Sequence, residues 1–193
     1  MNICFENFIK AFPPSDNLTK PTEETIAKYE NLLPADLLEF WKEYGFGDYG
    51  GGLLRVINPS DYEEAEGVNI SVDIPLLTDS FGDIFIFRSI PAQNLKAVGI
   101  LNVHFRNREF FIVDEDCIEE LFGGINPEMP MMRAELFQEA VQKFGKPEPN
   151  EIFFFAPALA MGGGESIEFV QKGDAFTHYA MLMAMAGDFK AQY

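Results

Sequence analysis

Three segments at the centre of the chain restrict its fold most: IFIFR (84–88), AVGILNVHF (97–105) and EFFIVD (109–114). Each is short and rich in aromatic and β-branched residues, and turn formers separate them, a pattern of strands. The RNRE link between the last two suits a hairpin, and an antiparallel sheet is the simplest arrangement of all three. Helical periodicity lies on either side. Pro21 opens a helix through TEETIAKYENLL. Pro34 opens another, PADLLEFWKEY, whose Leu37, Leu38, Trp41 and Tyr44 fall on one stripe. Gly45 ends it, and the two helices form a hairpin leading into the sheet.

Downstream, CIEELFGG reads as a short helix and MPMMRAELFQEAVQKFG as a longer one. IFFFAPALAM follows as an apolar strand, with Pro157 as an irregularity and Gly162–Gly164 as a tight corner. A last helix, DAFTHYAMLMAMAG, has Asp174 as its N-cap. The expected class is α+β: a mainly antiparallel sheet with flanking helices, an N-terminal helical hairpin and a C-terminal helix. KPEPNE is the best internal boundary, dividing residues 1–146 from 147–193, with both parts expected to pack as one unit. Hydrophobic residues make up 47% of the 193, including 20 Phe. A chain of this size buries roughly 70% of its unfolded surface.

Thirty-one acids against 14 Lys and Arg give a formal charge of −17. Such a field repels nucleic acid and anionic lipid and draws in basic partners. Two cysteines without CxxC spacing fit a reducing compartment. The N-terminal segment has no secretory pattern and no apolar run reaches membrane-spanning length, so the expected location is the cytoplasm.

Chemistry is sparsely signalled. Neither glycine run, GFGDYGGG (45–52) nor Gly162–Gly164, has the lysine and helix of a phosphate loop, and Glu165 beside the second would repel a phosphate. GFGDYGGG is read as a loop bringing backbone close to a neighbour. His104 lies in a strand without an obvious carboxylate orienter. His178 shares a helical face with Met181, Leu182 and Met185, a core stripe. Cys117 follows three acids that make it a poor nucleophile. No HExxH, EF-hand or GxSxG pattern occurs, so no catalytic residue, metal or cofactor is expected. The acidic clusters are solvated faces or a carboxylate surface for a basic protein.

Three segments in order resemble a known pair of domains. LPADLLEFWKEYGFGDYGGGLLRVINPSDYE (33–63) is similar to the opening of the GAD-like domain, through Pro34, Trp41, Gly45, Gly47, Tyr49, Gly52, Asn58, Pro59 and Tyr62. TDSFGDIFIF (78–87) supplies that family's Phe81-Gly82-Asp83 before an aromatic strand. FFFAPALAMGGGES followed by FTHYAMLMAMAG resembles the companion C-terminal domain. Between Tyr62 and Thr78 the chain departs from the pattern, being short and unusually acidic. The resemblance implies an immunity-type protein, not an enzyme, that binds and neutralises a cognate toxin, a DNase delivered by type VI secretion being the expected class. Candidate partner contacts are Asp48, Tyr49, Asp61, Glu63, Glu64, Glu66 and Asp83. The alternative is a small-molecule- or peptide-binding regulatory module of the same fold.

Overall fold

A computed structural model describes residues 2–16, 18–63, 72–184 and 190–191. In chain order these form α1 (Ile3–Ala11), α2 (Glu23–Tyr29), α3 (Ala35–Glu43), β1 (Gly47–Tyr49), β2 (Leu54–Val56), β3 (Asp73–Asp79), β4 (Ile84–Ile90), β5 (Leu95–Asn102) and β6 (Asn107–Ile112). Then follow α4 (Cys117–Gly124), α5 (Ala134–Phe144), β7 (Glu151–Phe155), β8 (Val170–Asp174), α6 (Ala175–Ala184) and β9 (Lys190–Ala191). The expected α+β class holds. Strands β1 to β6 form an antiparallel meander, with β9 adding two residues in parallel to β6, while β7 and β8 form a separate hairpin.

Local chemistry explains the helix starts. Asn2 accepts the Cys4 amide at the head of α1, Thr22 the Thr25 amide at α2, and Asp174 the Thr177 amide at α6. Each satisfies a donor that the helix itself cannot. Pro34 precedes α3 as expected, and Asp174 caps α6 as expected.

The sheet is covered on both sides, which is why β4 is apolar almost throughout. Phe85 and Phe87 point into a core shared with α1, α3, α4 and α5, where Phe5, Phe8, Phe40 and Phe122 meet ring to ring at 4.9–5.7 Å. Ile84 and Ile86 point the other way, into a smaller core with Tyr179 and Leu182 of α6. The larger core includes both Phe8 and Phe153, so it runs through the 146/147 boundary.

Three features differ from expectation. Strand β3 has no counterpart in the sequence reading, because Asp73, Pro75, Thr78 and Asp79 interrupt its apolar pattern. Register slips between Pro75 and Leu77, and all seven residues of β3 are buried. GFGDYGGG is not only a loop, since β1 lies within it; its glycines do bring backbone against a neighbour, a Cβ at Gly45 falling 2.6 Å from the Thr19 carbonyl oxygen. The strand IFFFAPALAM ends at Phe155, and residues 156–169 form a longer connection with a 3-10 turn, Leu159–Met161, in place of a tight corner.

Candidate functional site

The expected contact residues separate by burial. Tyr49 is wholly buried, its hydroxyl donating to the Gly45 carbonyl at 2.7 Å, and burial pushes its pKa well above the usual range. Asp83 is 1% exposed. Neither side chain presents surface, and both pack inside the fold. Asp48 is held by Arg55, whose Nε donates to Oδ1 at 2.8 Å; the same guanidinium bonds the carbonyls of Glu148 and Pro149. Arg55 of β2 thus ties Asp48 of the edge strand β1 to the segment leading into β7.

Asp61 and Glu63 do reach the surface together. Asp61 sits in the 3-10 turn Pro59–Tyr62, its pKa raised by burial, and Glu63 pairs with Lys28. Asp48, Arg55 and Asp61 line a groove of about 360 Å³ that Lys20 also borders. Two acids facing two bases leave it near neutral. Glu64 and Glu66 lie outside the described residues.

The Phe81-Gly82-Asp83 segment is the turn from β3 to β4, and it organises a buried ionic lock. Asp79 Oδ1 accepts the amides of Phe81 and Asp83 at 3.0 and 2.9 Å, which closes the turn. Asp83 Oδ1 accepts the Val103 amide at 2.9 Å. Arg133, in the left-handed backbone region just before α5, donates from Nη1 to Asp83 at 3.0 Å and to Asp79 at 3.4 Å, and from Nε to Glu165 at 3.1 Å. Its guanidinium lies over Phe81 and Phe155, themselves stacked at 5.5 Å. His104 Nε2 is 2.7 Å from the Phe81 carbonyl oxygen, and Tyr179 donates its hydroxyl to the Gly82 carbonyl. One turn is therefore held by the residues just past β5, by the residue just before α5 and by α6 together. Sequence reasoning missed Arg133; the available signal was that it is the sole Lys or Arg between Arg108 and Lys143.

Two carboxyls share one buried guanidinium here, so one of them resists ionisation. Asp79 is pushed up to about 8, by burial first and by Asp83 second. His178, stacked on Phe154 at 4.3 Å and 6.2 Å from His104 between ring centroids, is pushed down to about 4 by burial and then by His104. His104 is also lowered, chiefly by burial. Cys117 is buried, and burial more than its acidic neighbours pushes it up to about 11.

These shifts predict how stability varies with pH. The raised Asp79 contributes stability that is present below its unfolded value of 3.8 and lost as pH rises through about 8. The lowered histidines contribute stability present above 6.5 and lost as pH falls, through about 4 for His178. On the acid limb, below 6.5, the two imidazoles oppose the one carboxyl, and above it Asp79 alone titrates, so the contribution of the cluster declines from there toward about 8. Urea midpoints across this range read it. His178→Phe should flatten the acid limb; an acid limb equally steep in that variant would refute the assignment.

Asp73 is 1% exposed and ion-paired to Arg88 at 2.6 Å and Arg108 at 3.0 Å. It fastens β3 to β4 and β6 instead of facing solvent. A different surface feature, an apolar groove of about 470 Å³ between β6, α4 and Met129–Met131, had no sequence signal. Among the described residues, no helix is long and apolar enough to cross a membrane.

Comparison with known proteins fits this architecture. Residues 3–97 match the model of the GAD-like domain, and residues 129–186 match that of the C-terminal region of the T6SS immunity protein Tdi1. The second match takes in α5, which a boundary after residue 146 would leave in the first part. No curated protein matched. Among solved structures, the crystal structure of Atu4351 from Agrobacterium tumefaciens superposes with a TM-score of 0.78 at 20% identity, covering 97% of this chain and 91% of that one. At that identity the likeness concerns the fold. The lock joins the two matches, Asp79 and Asp83 lying in one and Arg133 in the other. The chain thus carries a GAD-like domain followed by a C-terminal domain of the T6SS immunity protein Tdi1 type.

Proposed function

We propose that this protein is an immunity protein that binds a cognate toxin, with a DNase as the expected class, and neutralises it stoichiometrically without turnover. The observation that carries this is the match of residues 129–186 to an immunity-protein domain, built into one core with the GAD-like domain. The charge supports a basic partner: 31 acids against 14 Lys and Arg steer a cationic nuclease surface inward. Both histidines are packed into the core beside the lock, a setting for structural imidazoles. In such a complex, apolar and aromatic anchors carry affinity, while acids set approach and orientation. Of the sequence-derived contacts, Asp61 and Glu63 remain as an exposed acidic turn, continued in sequence by Glu64 and Glu66.

Co-expression with the product of the adjacent gene is the direct test. Growth should be restored, and the two chains should purify as a stoichiometric complex. A toxin that still kills in the presence of folded, abundant protein would sink the proposal. In the complex, Asp61→Lys with Glu63→Lys should slow association about tenfold at low salt and much less at high salt. An unchanged on-rate at low salt would clear that turn of any steering role.

A further inference from the structure

We propose that the apolar groove beside β6 is a docking site for an amphipathic, basic segment of the partner polypeptide; this deepens, and rests on, the reading of the protein as a toxin binder. Its floor is made by Phe85, Ile100, Leu121 and Ile125, all buried, and its walls include the half-buried Ile112, Met129 and Met131. Phe111, 48% exposed, forms the outer lip. At about 470 Å³ it admits several apolar side chains. Methionine walls suit it to varied contents, because the unbranched thioether repacks at low cost. Phe105 and Val113, on either side of β6 in sequence, are also exposed, 55% and 57%. Isolated exposed apolar residues need no explanation, whereas an apolar groove with an apolar margin marks a contact surface.

Charge selects the occupant. Glu109 and Glu120 line the groove, and no Lys or Arg does so among the described residues. At Met129 it meets a second groove of about 620 Å³ bordered by Glu128, Glu135 and Glu165. The cation there, Arg133, is already shared by Asp79, Asp83 and Glu165. Carboxylates therefore flank the apolar floor on both sides. A second copy of a chain carrying a formal charge of −17 would bring like charge to this rim. A partner segment with apolar residues on one face and Lys or Arg on its margins meets it in both respects.

The backbone indicates how that segment is held. Beyond Arg108, β6 has no strand on its outer side among the described residues, which makes strand addition the first mode to consider. Register with β5 passes from Gly99–Phe110 to Val98–Ile112, leaving Phe111 as an extra, unpaired residue. Such a bulge breaks the ladder that an incoming strand would extend. Recognition by side chains, an amphipathic helix laying its apolar face in the groove, is the mode compatible with this edge.

The test uses the full chain labelled at its methionine methyls and two probes: a short Leu/Lys amphipathic helical peptide, and the inactivated product of the adjacent gene. The peptide should shift Met129 and Met131 while leaving Met161, which lies outside the groove, unmoved. Phe111→Lys should weaken binding of both probes by at least about tenfold. Glu109→Lys with Glu120→Lys should weaken both in a salt-dependent way; urea midpoints confirm that each variant is folded. If the toxin binds wild type and Phe111→Lys equally well, the groove assignment fails while the immunity reading stands. If the toxin does not bind wild type but the peptide occupies the groove, the immunity reading fails and the docking site stands. Peptide shifts confined to other methionines overturn the proposal. Self-association abolished by Phe111→Lys also overturns it, the occupant then being a second copy.

Discussion

Arg133→Ala should destabilise the protein by about 3–5 kcal/mol, the usual cost of removing one partner from a buried charge cluster. The arginine side chain is 7% exposed, and Asp79 and Asp83 opposite it are 2% and 1% exposed. Without the guanidinium, two carboxyls 50 and 54 residues away in sequence face one another in an apolar setting. They will take up a proton to avoid it, so the loss should grow with rising pH. Because single domains are stable by only about 5–15 kcal/mol, the variant would retain a thin margin. Arg133→Lys should fall between, keeping the charge but losing the fork that reaches Glu165 as well. Arg133→Met combined with Asp79→Asn and Asp83→Asn should recover most of the loss, since it removes the charges together and leaves side-chain oxygens for the turn amides. Urea denaturation at two pH values reads all three. An Arg133→Ala protein within about 1 kcal/mol of wild type would show that the lock is incidental.

Gly163→Ala should be the most damaging change in the glycine run. A Cβ built there falls 1.8 Å from the Pro157 carbonyl oxygen and 2.8 Å from its carbon. Both are backbone atoms, so no side-chain rotation relieves the overlap and the connection from β7 to β8 must shift. Overpacking of this kind costs about 1–3 kcal/mol and occasionally more. Its neighbours provide the control. Gly162 has open space around its Cβ position but a φ of +90°, so Ala there meets conformational strain alone, about 1–2 kcal/mol. At Gly164 the added Cβ would press on the Phe169 ring at 2.9 Å, a side chain with some room to turn. Midpoints that place Gly163→Ala above the other two would contradict this ordering.

The three glycines thus serve three different steric demands, and none was distinguishable from its neighbours in the sequence. The same contrast runs through the acids. Asp83 and Asp61 look alike in a list of carboxylates, yet one is buried against Arg133 and the other lines an open groove. What separates them is a cation 50 residues downstream in sequence. Strand β3 was hidden for a related reason: Asp73 and Asp79 read as polar breaks until Arg88, Arg108 and Arg133 are seen to neutralise them.

Elements whose signals are local were legible along the chain. The periods of α3, α5, β4 and β5, the caps at Pro34 and Asp174, and the acidic excess are all set by residues within a few positions or by composition. The sequence also carried the two-domain resemblance, because that depends on motif order along the chain. Long-range contacts set which carboxylates are interior, how the Phe81-Gly82-Asp83 turn joins the domains, and where an apolar groove opens beside β6. Burial and ion pairing belong to contacts between residues far apart in sequence, and an acid has no local mark that says whether it will meet water or an arginine.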